Sequence, residues 1–405
     1  MKAVKTQDIF SASNVTLETT FDNQSNPQIV YNAYNYVLGT PNADQLNGTK
    51  GDDYMLGLDS SDTLYGYHGN DILHGNDGRD ALYGGSGEDM LYGGSGTDLL
   101  HGNAADDLVI GNDGNDTMYG DAGNDVLVGN EYNVNSAIYT TSNDTMYGGD
   151  GDDLIVGDSY LNSGQSVCNI ASHDDYLLGG DGNDIIFGDN VIAENPLVLD
   201  QSGFSPDTSA YSFSGSGNDY IDGGNGNDYI HAGAGMDVVY GGNGNDTLKH
   251  YGEEATEMYG GNGHDFIIGG TYVEGGNGSD TITVGHYADY VDGGNGGDDI
   301  TIQYLDYTGE YAMDMDVYMG DIGCCADEVN VNLNAYPLNY SVVEIYEFDM
   351  YDTLNISGGI DIDDVTIEQY DFNENGTIDT VINAGDTLDI VVDGYTDLSY
   401  EDLSF

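Results

Sequence analysis

The chain has 405 residues, of which 73 are Asp or Glu and only five are Lys or Arg, for a formal net charge of -68. No basic face exists to neutralise phosphates, so nucleic acid is excluded as a partner, and self-repulsion keeps such a chain expanded unless cations offset it. Yet 39% of the residues are hydrophobic and 34 are tyrosine, at fixed phase, which predicts a fold that forms conditionally.

At the N-terminus, Met1-Lys2-Ala3-Val4-Lys5 runs into Thr6-Gln7-Asp8 rather than an apolar stretch, so no cleavable secretory signal is expected. No segment reaches the length of a membrane span. Residues 1–38 carry two strand-like pieces, Gln28-Ile29-Val30-Tyr31 and Tyr34-Asn35-Tyr36-Val37-Leu38, and read as an N-terminal cap over the first rung of a solenoid.

Residues 39–128 form a regular array in which an aspartate returns every ninth position: Asp44, Asp53, Asp62, Asp71, Asp80, Asp89, Asp98, Asp107, Asp116 and Asp125. Each unit divides into six turn-forming residues and three strand-like ones. The eighth position is always apolar, from Leu46, Met55 and Leu64 to Val109, Met118 and Leu127. One inward side chain between two outward ones is the alternation of a half-buried strand, and the glycine density excludes helix.

Residues 129–301 continue the register with interruptions, through Asp144, Asp153, Asp175, Asp184, Asp219, Asp228, Asp237, Asp246, Asp265, Asp280, Asp289 and Asp298. With two strands per rung, odd and even turns lie on opposite flanks. The three long insertions, near 130–141, 158–172 and 189–213, all replace odd turns, so they leave from one side. Every unbroken glycine-rich turn after residue 129 is even, which predicts that one flank keeps its sites while the other is given over to loops.

The strand faces differ too. Odd strands present an outward tyrosine column, Tyr65, Tyr83, Tyr119 and Tyr147. Even strands present Ile110, Val128, Val156 and Phe187, an apolar strip too continuous to face water. Either the insertions fold back over it with Tyr132, Ile138, Leu161, Ile170, Leu197, Leu199 and Phe204, or it is an interface with another molecule. His74 and His101 sit at outward strand positions and read as surface residues.

The nonapeptide fades over a transition at 302–329, and 330–405 reads as a β-rich C-terminal cap with its own small core. Three cysteines, Cys168, Cys324 and Cys325, are too few for a disulfide scaffold.

The repeat's chemistry points to calcium, which takes six to eight oxygen ligands at flexible geometry. Glycines aim backbone carbonyls inward and the terminal aspartate adds a charged donor. One turn is an incomplete shell, but units two apart stack about 4.8 Å from each other, so an ion between them is held by both. The same ion removes the repulsion between stacked aspartates, which couples binding to folding. Candidate ligands are Asp53, Asp71, Asp80, Asp89, Asp98, Asp107, Asp116, Asp125, Asp153, Asp184, Asp228, Asp246, Asp265, Asp280 and Asp298. They act with the carbonyls of turns such as Gly84, Gly85 and Gly87, Gly93, Gly94 and Gly96, Gly148, Gly149 and Gly151, Gly223, Gly224 and Gly226, and Gly241, Gly242 and Gly244.

Gly-Gly-x-Gly-x-Asp followed by x-apolar-x over residues 39–301 resembles the hemolysin-type calcium-binding repeat of the RTX family. The resemblance implies an all-β, right-handed parallel β-roll with several calcium ions between its turns. It is incomplete at Gly39-Thr40-Pro41-Asn42, Gly57-Leu58-Asp59-Ser60 and Gly102-Asn103-Ala104-Ala105, which lack the second or fourth glycine. The tail is similar to RTX cap and secretion regions at Asp352-Thr353-Leu354-Asn355-Ile356-Ser357-Gly358, Gly385-Asp386-Thr387-Leu388 and Glu401-Asp402-Leu403-Ser404-Phe405. That implies export by type I secretion machinery through an uncleaved C-terminal signal. Asp371, Asn373, Asn375 and Asp379 also resemble the start of an EF-hand loop, although Ile382 stands where its glutamate would be.

No His-Glu-x-x-His, Gly-x-Ser-x-Gly or phosphate loop is present. The sequence therefore predicts a secreted, non-enzymatic, calcium-loaded structural or surface protein that self-associates into a layer, filament or matrix. The alternative is an adhesin for cell-surface polysaccharide. An enzyme with its site in the insertions comes third.

Overall fold

The computed structural model describes residues 19–21, 27–29, 34–131, 142–162, 173–193, 211–214, 217–252, 254–285, 287–304, 314–320, 326–333, 341–348, 352–357, 365–370, 379–384 and 388–392. All regular elements among them are strands. Consecutive strands alternate between two sheets, and each pairs in parallel with the strand two units away. In the odd sheet Leu82 lies beside Leu100, and Leu100 beside Met118; in the even sheet Leu73 lies beside Leu91. Two units make one rung, and the rungs stack into an all-β parallel roll.

Strands such as Ala81–Ser86 and Leu99–Ala104 run six residues rather than the expected three. The turns stack in register as well, so pairing continues past the strand, as where Asn103 lies beside Gly85. Glycine makes this approach fit. A Cβ on Gly96, whose φ is +149, would lie 1.4 Å from the Gly78 carbonyl oxygen, whereas a Cβ on Gly51 would meet nothing within 4 Å. Gly96→Ala should therefore cost about 3 kcal/mol or more and Gly51→Ala almost nothing, read from thermal melts in saturating calcium. Where the glycines are missing, Leu58, Ser60, Asn103 and Ala105 adopt the same left-handed conformations, with φ of 89, 81, 79 and 87.

The eighth-position residues from Met55 to Leu127 are all at 0% exposure and stack in single file between the sheets. This file is the core, about 0.8 kcal/mol per buried methylene. From Ile282 onward it widens to two inward residues per strand, as in Ile282 with Val284, Ile300 with Ile302 and Val343 with Ile345.

The C-terminal strands share this file. Val329, Val343, Leu354 and Ile390 belong to the same core cluster as Met55, not to one of their own. The even ladder continues from Asp299–Tyr304 through Glu328–Leu333 to Thr353–Ser357. Glycine turns disappear there, but in-out alternation persists, and alternation is what the ladder needs. On the odd side, Ser341–Tyr346 pairs with Leu388–Val392, which continues antiparallel into Asp379–Ala384 and Val365–Tyr370. At the other end Asn35–Leu38 already pairs with the even strand Asp53–Asp59, so the ladder starts inside the expected cap.

Ile110, Val128, Val156 and Phe187 are buried in a second cluster with Val126, Leu154, Val191 and Tyr229, so this half of the candidate interface is not an open surface. The covering residue Val191 comes from the third insertion, whose strand Asn190–Ala193 pairs with the end of Leu154–Asn162 and with Tyr211–Ser214. Leu161 belongs to the former strand, while Tyr132, Ile138, Ile170, Leu197, Leu199 and Phe204 lie outside the described residues.

Candidate metal centre

Each turn closes on its aspartate in one way. A Cβ on Gly84 would lie 2.4 Å from Asp89 Oδ2 and 2.8 Å from the Gly102 carbonyl oxygen of the next rung. The corresponding distances are 2.3 and 2.6 Å at Gly148 and 2.4 and 2.6 Å at Gly223. The carboxylate thus occupies the space that glycine leaves open, where oxygens from two rungs converge. At Gly93 and Gly241 the register aspartate takes the same place. The second and fourth positions stack over carbonyls of the preceding rung: Gly85 over Tyr67, Gly87 over Gly69, Gly94 over Asn76, Gly149 over Asp121, Gly151 over Gly123, Gly224 over Gly180, Gly226 over Gly182, Gly242 over Gly224 and Gly244 over Gly226.

The two carboxylate oxygens have different fates. Oδ1 accepts the backbone N–H of the register aspartate one rung earlier, at 2.7 Å from Asp71 to Asp89 and from Asp89 to Asp107. Oδ2 is buried without a hydrogen-bond partner at Asp71, Asp80, Asp89, Asp98, Asp107, Asp116, Asp125, Asp153, Asp184, Asp228, Asp246, Asp265 and Asp280. Asp298 is oriented alike, with its own N–H donated to Asp327. Asp53 is the exception among the candidate ligands, because its Oδ2 accepts Thr49 N–H at 2.6 Å and the Thr49 hydroxyl at 3.1 Å. Thr40 caps Asp44 similarly.

Burial, and after it neighbouring carboxylates, hold Asp71, Asp80, Asp89, Asp107, Asp116 and Asp153 above the ordinary range. Burial raises Asp89 to about 7, against the bond it accepts from Asp71. Burial followed by repulsion from Asp144 raises Asp116 to about 9. An unpartnered buried carboxylate oxygen is costly enough to need a cation or a proton. Among the described residues, no group of three or more His, Cys, Asp or Glu side chains is placed to hold a metal. A cation here must therefore be held by one carboxylate per turn together with backbone carbonyls, the all-oxygen set that suits calcium.

The odd flank goes further than the glycine count predicted. Asp62, Asp144, Asp175 and Asp219 are buried with the same unpartnered Oδ2, so the insertions leave the turn's aspartate in place. The signal was the aspartate register itself; each insertion falls between the turn's first glycine and that residue. Asp371, Asn373 and Asn375 lie outside the described residues, as do the three cysteines, and of the Asp379 side chain nothing is described.

The tyrosine column is longer than the sequence suggested. His101 fills the gap between Tyr83 and Tyr119, at 5.3 and 4.4 Å between ring centroids. The stack then runs from Tyr147 through Tyr176, Tyr220, Tyr240, Tyr259, Tyr272, Tyr290 and Tyr318 to Tyr346. It tilts where it crosses from one outward strand position to the other, as between Tyr147 and Tyr176, which meet at 59°. Elsewhere the rings lie face to face, Tyr65 on Tyr83 at 5.0 Å and Tyr119 on Tyr147 at 4.7 Å.

Asp107→Asn should leave the fold intact in excess calcium but weaken binding at its turn about tenfold, seen as one fewer tightly held ion by native mass spectrometry.

No curated protein sequence matches the chain. Among solved structures, it is similar to the extracellular lipase LipA from Serratia marcescens at 16% identity and a TM-score of 0.17, covering 77% of this chain and 40% of the lipase. The family model for the RTX calcium-binding nonapeptide repeat matches at 38–73, 56–91, 65–100, 92–127, 140–159, 172–190, 213–248, 257–272 and 274–301. With those matches spanning over half the chain, the stacked aspartates and glycine turns are those of a calcium-binding β-roll, and the protein belongs to the RTX calcium-binding nonapeptide repeat family.

Proposed function

We propose that this is a secreted structural protein of the cell exterior, assembled into a layer, filament or matrix and folded by calcium after export through a type I route. The observation that carries the reading is the uniformity of the scaffold: one core file and two ladders run from Asn35 to Val392, with the same buried aspartate turn repeated on both flanks. In calcium-poor cytosol the carboxylates keep the chain expanded. Outside, sites of about 10⁻⁴ to 10⁻³ M affinity fill and fold it. The proposed ligands are the register aspartates whose Oδ2 has no protein partner, with the turn carbonyls beside them.

The competing adhesin reading draws on the aromatic ladder. Sugars stack on ring faces, however, and here most of those faces are spent on neighbouring rings, leaving edges and hydroxyls outward. Tyr259 and Tyr290 commit their hydroxyls to Glu257 and Asp292, both at 3.1 Å. A continuous row of edges suits lateral contact with another long surface better than the capture of a saccharide. Electron microscopy of the purified chain in millimolar calcium tests the choice. Ordered polymers support assembly; dispersed monomers that bind on a glycan array would replace it with adhesion.

A further inference from the structure

From Gly39 through Gly223 the residue that opens each turn is always glycine, and the register aspartate fills the space a Cβ would need. The odd flank breaks this rule twice in succession, at Ala232 and His250. At Ala232 a methyl group is accommodated beside Asp237, whereas the turn opened by the much larger His250 has Thr256 where the register aspartate would stand.

The imidazole then fills the joint between two turns. Its side chain is 1% exposed, with Nδ1 3.4 Å from Asp237 Oδ2, a close electrostatic contact outside the alignment of a hydrogen bond. On its other side, a Cβ on Gly252 would lie 2.6 Å from Nε2 and 2.5 Å from Glu254 Oε2, so a second carboxylate lies close to the ring. Thr256 closes the joint by donating its hydroxyl to the Gly235 carbonyl at 3.0 Å. Asp237 still receives the Asp219 N–H, at 2.9 Å, as its predecessors do from theirs. Its N–H meets the Thr256 hydroxyl, at 3.4 Å, in place of an aspartate Oδ1, and its Oδ2 meets the imidazole.

We propose that His250 takes the place of a calcium ion between the turn ending at Asp237 and the turn ending at Thr256, so that the ion column of this flank stops there. A side chain that is part of the chain cannot be chelated away, and the joint holds without calcium. The proposal rests on calcium filling the other turns.

A crystal structure of the full chain in millimolar calcium, with anomalous scattering to mark the ions, tests it. Ions at Asp175 and Asp219, with imidazole and no ion on the Thr256 side of Asp237, are expected. An ion there within 2.3–2.6 Å of Oδ2 would overturn the substitution while leaving the calcium reading intact, whereas no ion at any register aspartate would remove both. In a second arm, residues 250–256 are replaced by the Gly-Gly-Asn-Gly-Asn-Asp turn of 241–246. Native mass spectrometry should then count one calcium more than in the unaltered chain; an unchanged count overturns the proposal.

Discussion

Chelation of calcium at neutral pH should abolish the roll, not loosen it. The register aspartates are buried, and each ionised carboxylate without a cation opposes folding. For Asp89, held at about 7 against an ordinary 3.8, the shift of roughly three units is about 4 kcal/mol at neutral pH. Similar pressure acts at Asp107 and Asp153, both raised to about 8. A few such terms exceed the 5–15 kcal/mol by which proteins are stable, and they repeat along the stack. Circular dichroism in excess chelator should show an expanded chain without strand signal, and readdition of calcium should restore it cooperatively. A strand-rich spectrum in chelator would defeat this expectation.

Acid should substitute for calcium. With folded carboxyls raised above their unfolded values of 3.8, the ion-free roll carries almost no ionisation penalty below about pH 3, where both states are protonated. As pH rises, the unfolded chain ionises first, and each group removes about 1.4 kcal/mol per pH unit. The loss is complete once pH passes the folded values, from about 6 at Asp71 to about 9 at Asp219. In chelator, strand signal should therefore return as pH falls from 8 toward 3. In calcium the same protons compete with the ion, so the calcium midpoint should rise with acidity. Acid titration in chelator with no recovered strand signal would mean that charge is not what keeps the ion-free chain open.

Much of this was legible because the repeat states its geometry in residue spacing. An aspartate every ninth position and an apolar residue two places on specify a turn and an inward strand residue, and Met55, Leu91 and Leu127 are fully buried as that spacing requires. Other features depended on which side chains meet across rungs, and those partners lie 15 or more residues apart in the chain. His101 looked like a surface residue because its partners Tyr83 and Tyr119 are on neighbouring strands. Asp175 kept its register but lay in a turn interrupted by an insertion and was not among the candidate ligands, yet its N–H reaches Asp219 at 2.8 Å across 44 residues. Thr49 gave no warning that it would occupy Asp53, because a hydroxyl one position after a glycine is unremarkable until the turn is closed. The widening of the core at Ile282 was masked by glycine turns that persist beyond it.

The hydrogen bonds from each register aspartate to the next all point the same way. On the even flank they run from Asp53 through Asp298 to Asp327 and Asp352. Removing a rung at the N-terminal end bares carboxylate oxygens, whereas removing one at the C-terminal end bares N–H donors. The array therefore has a head that offers acceptors and a tail that offers donors, so its two ends are chemically distinct.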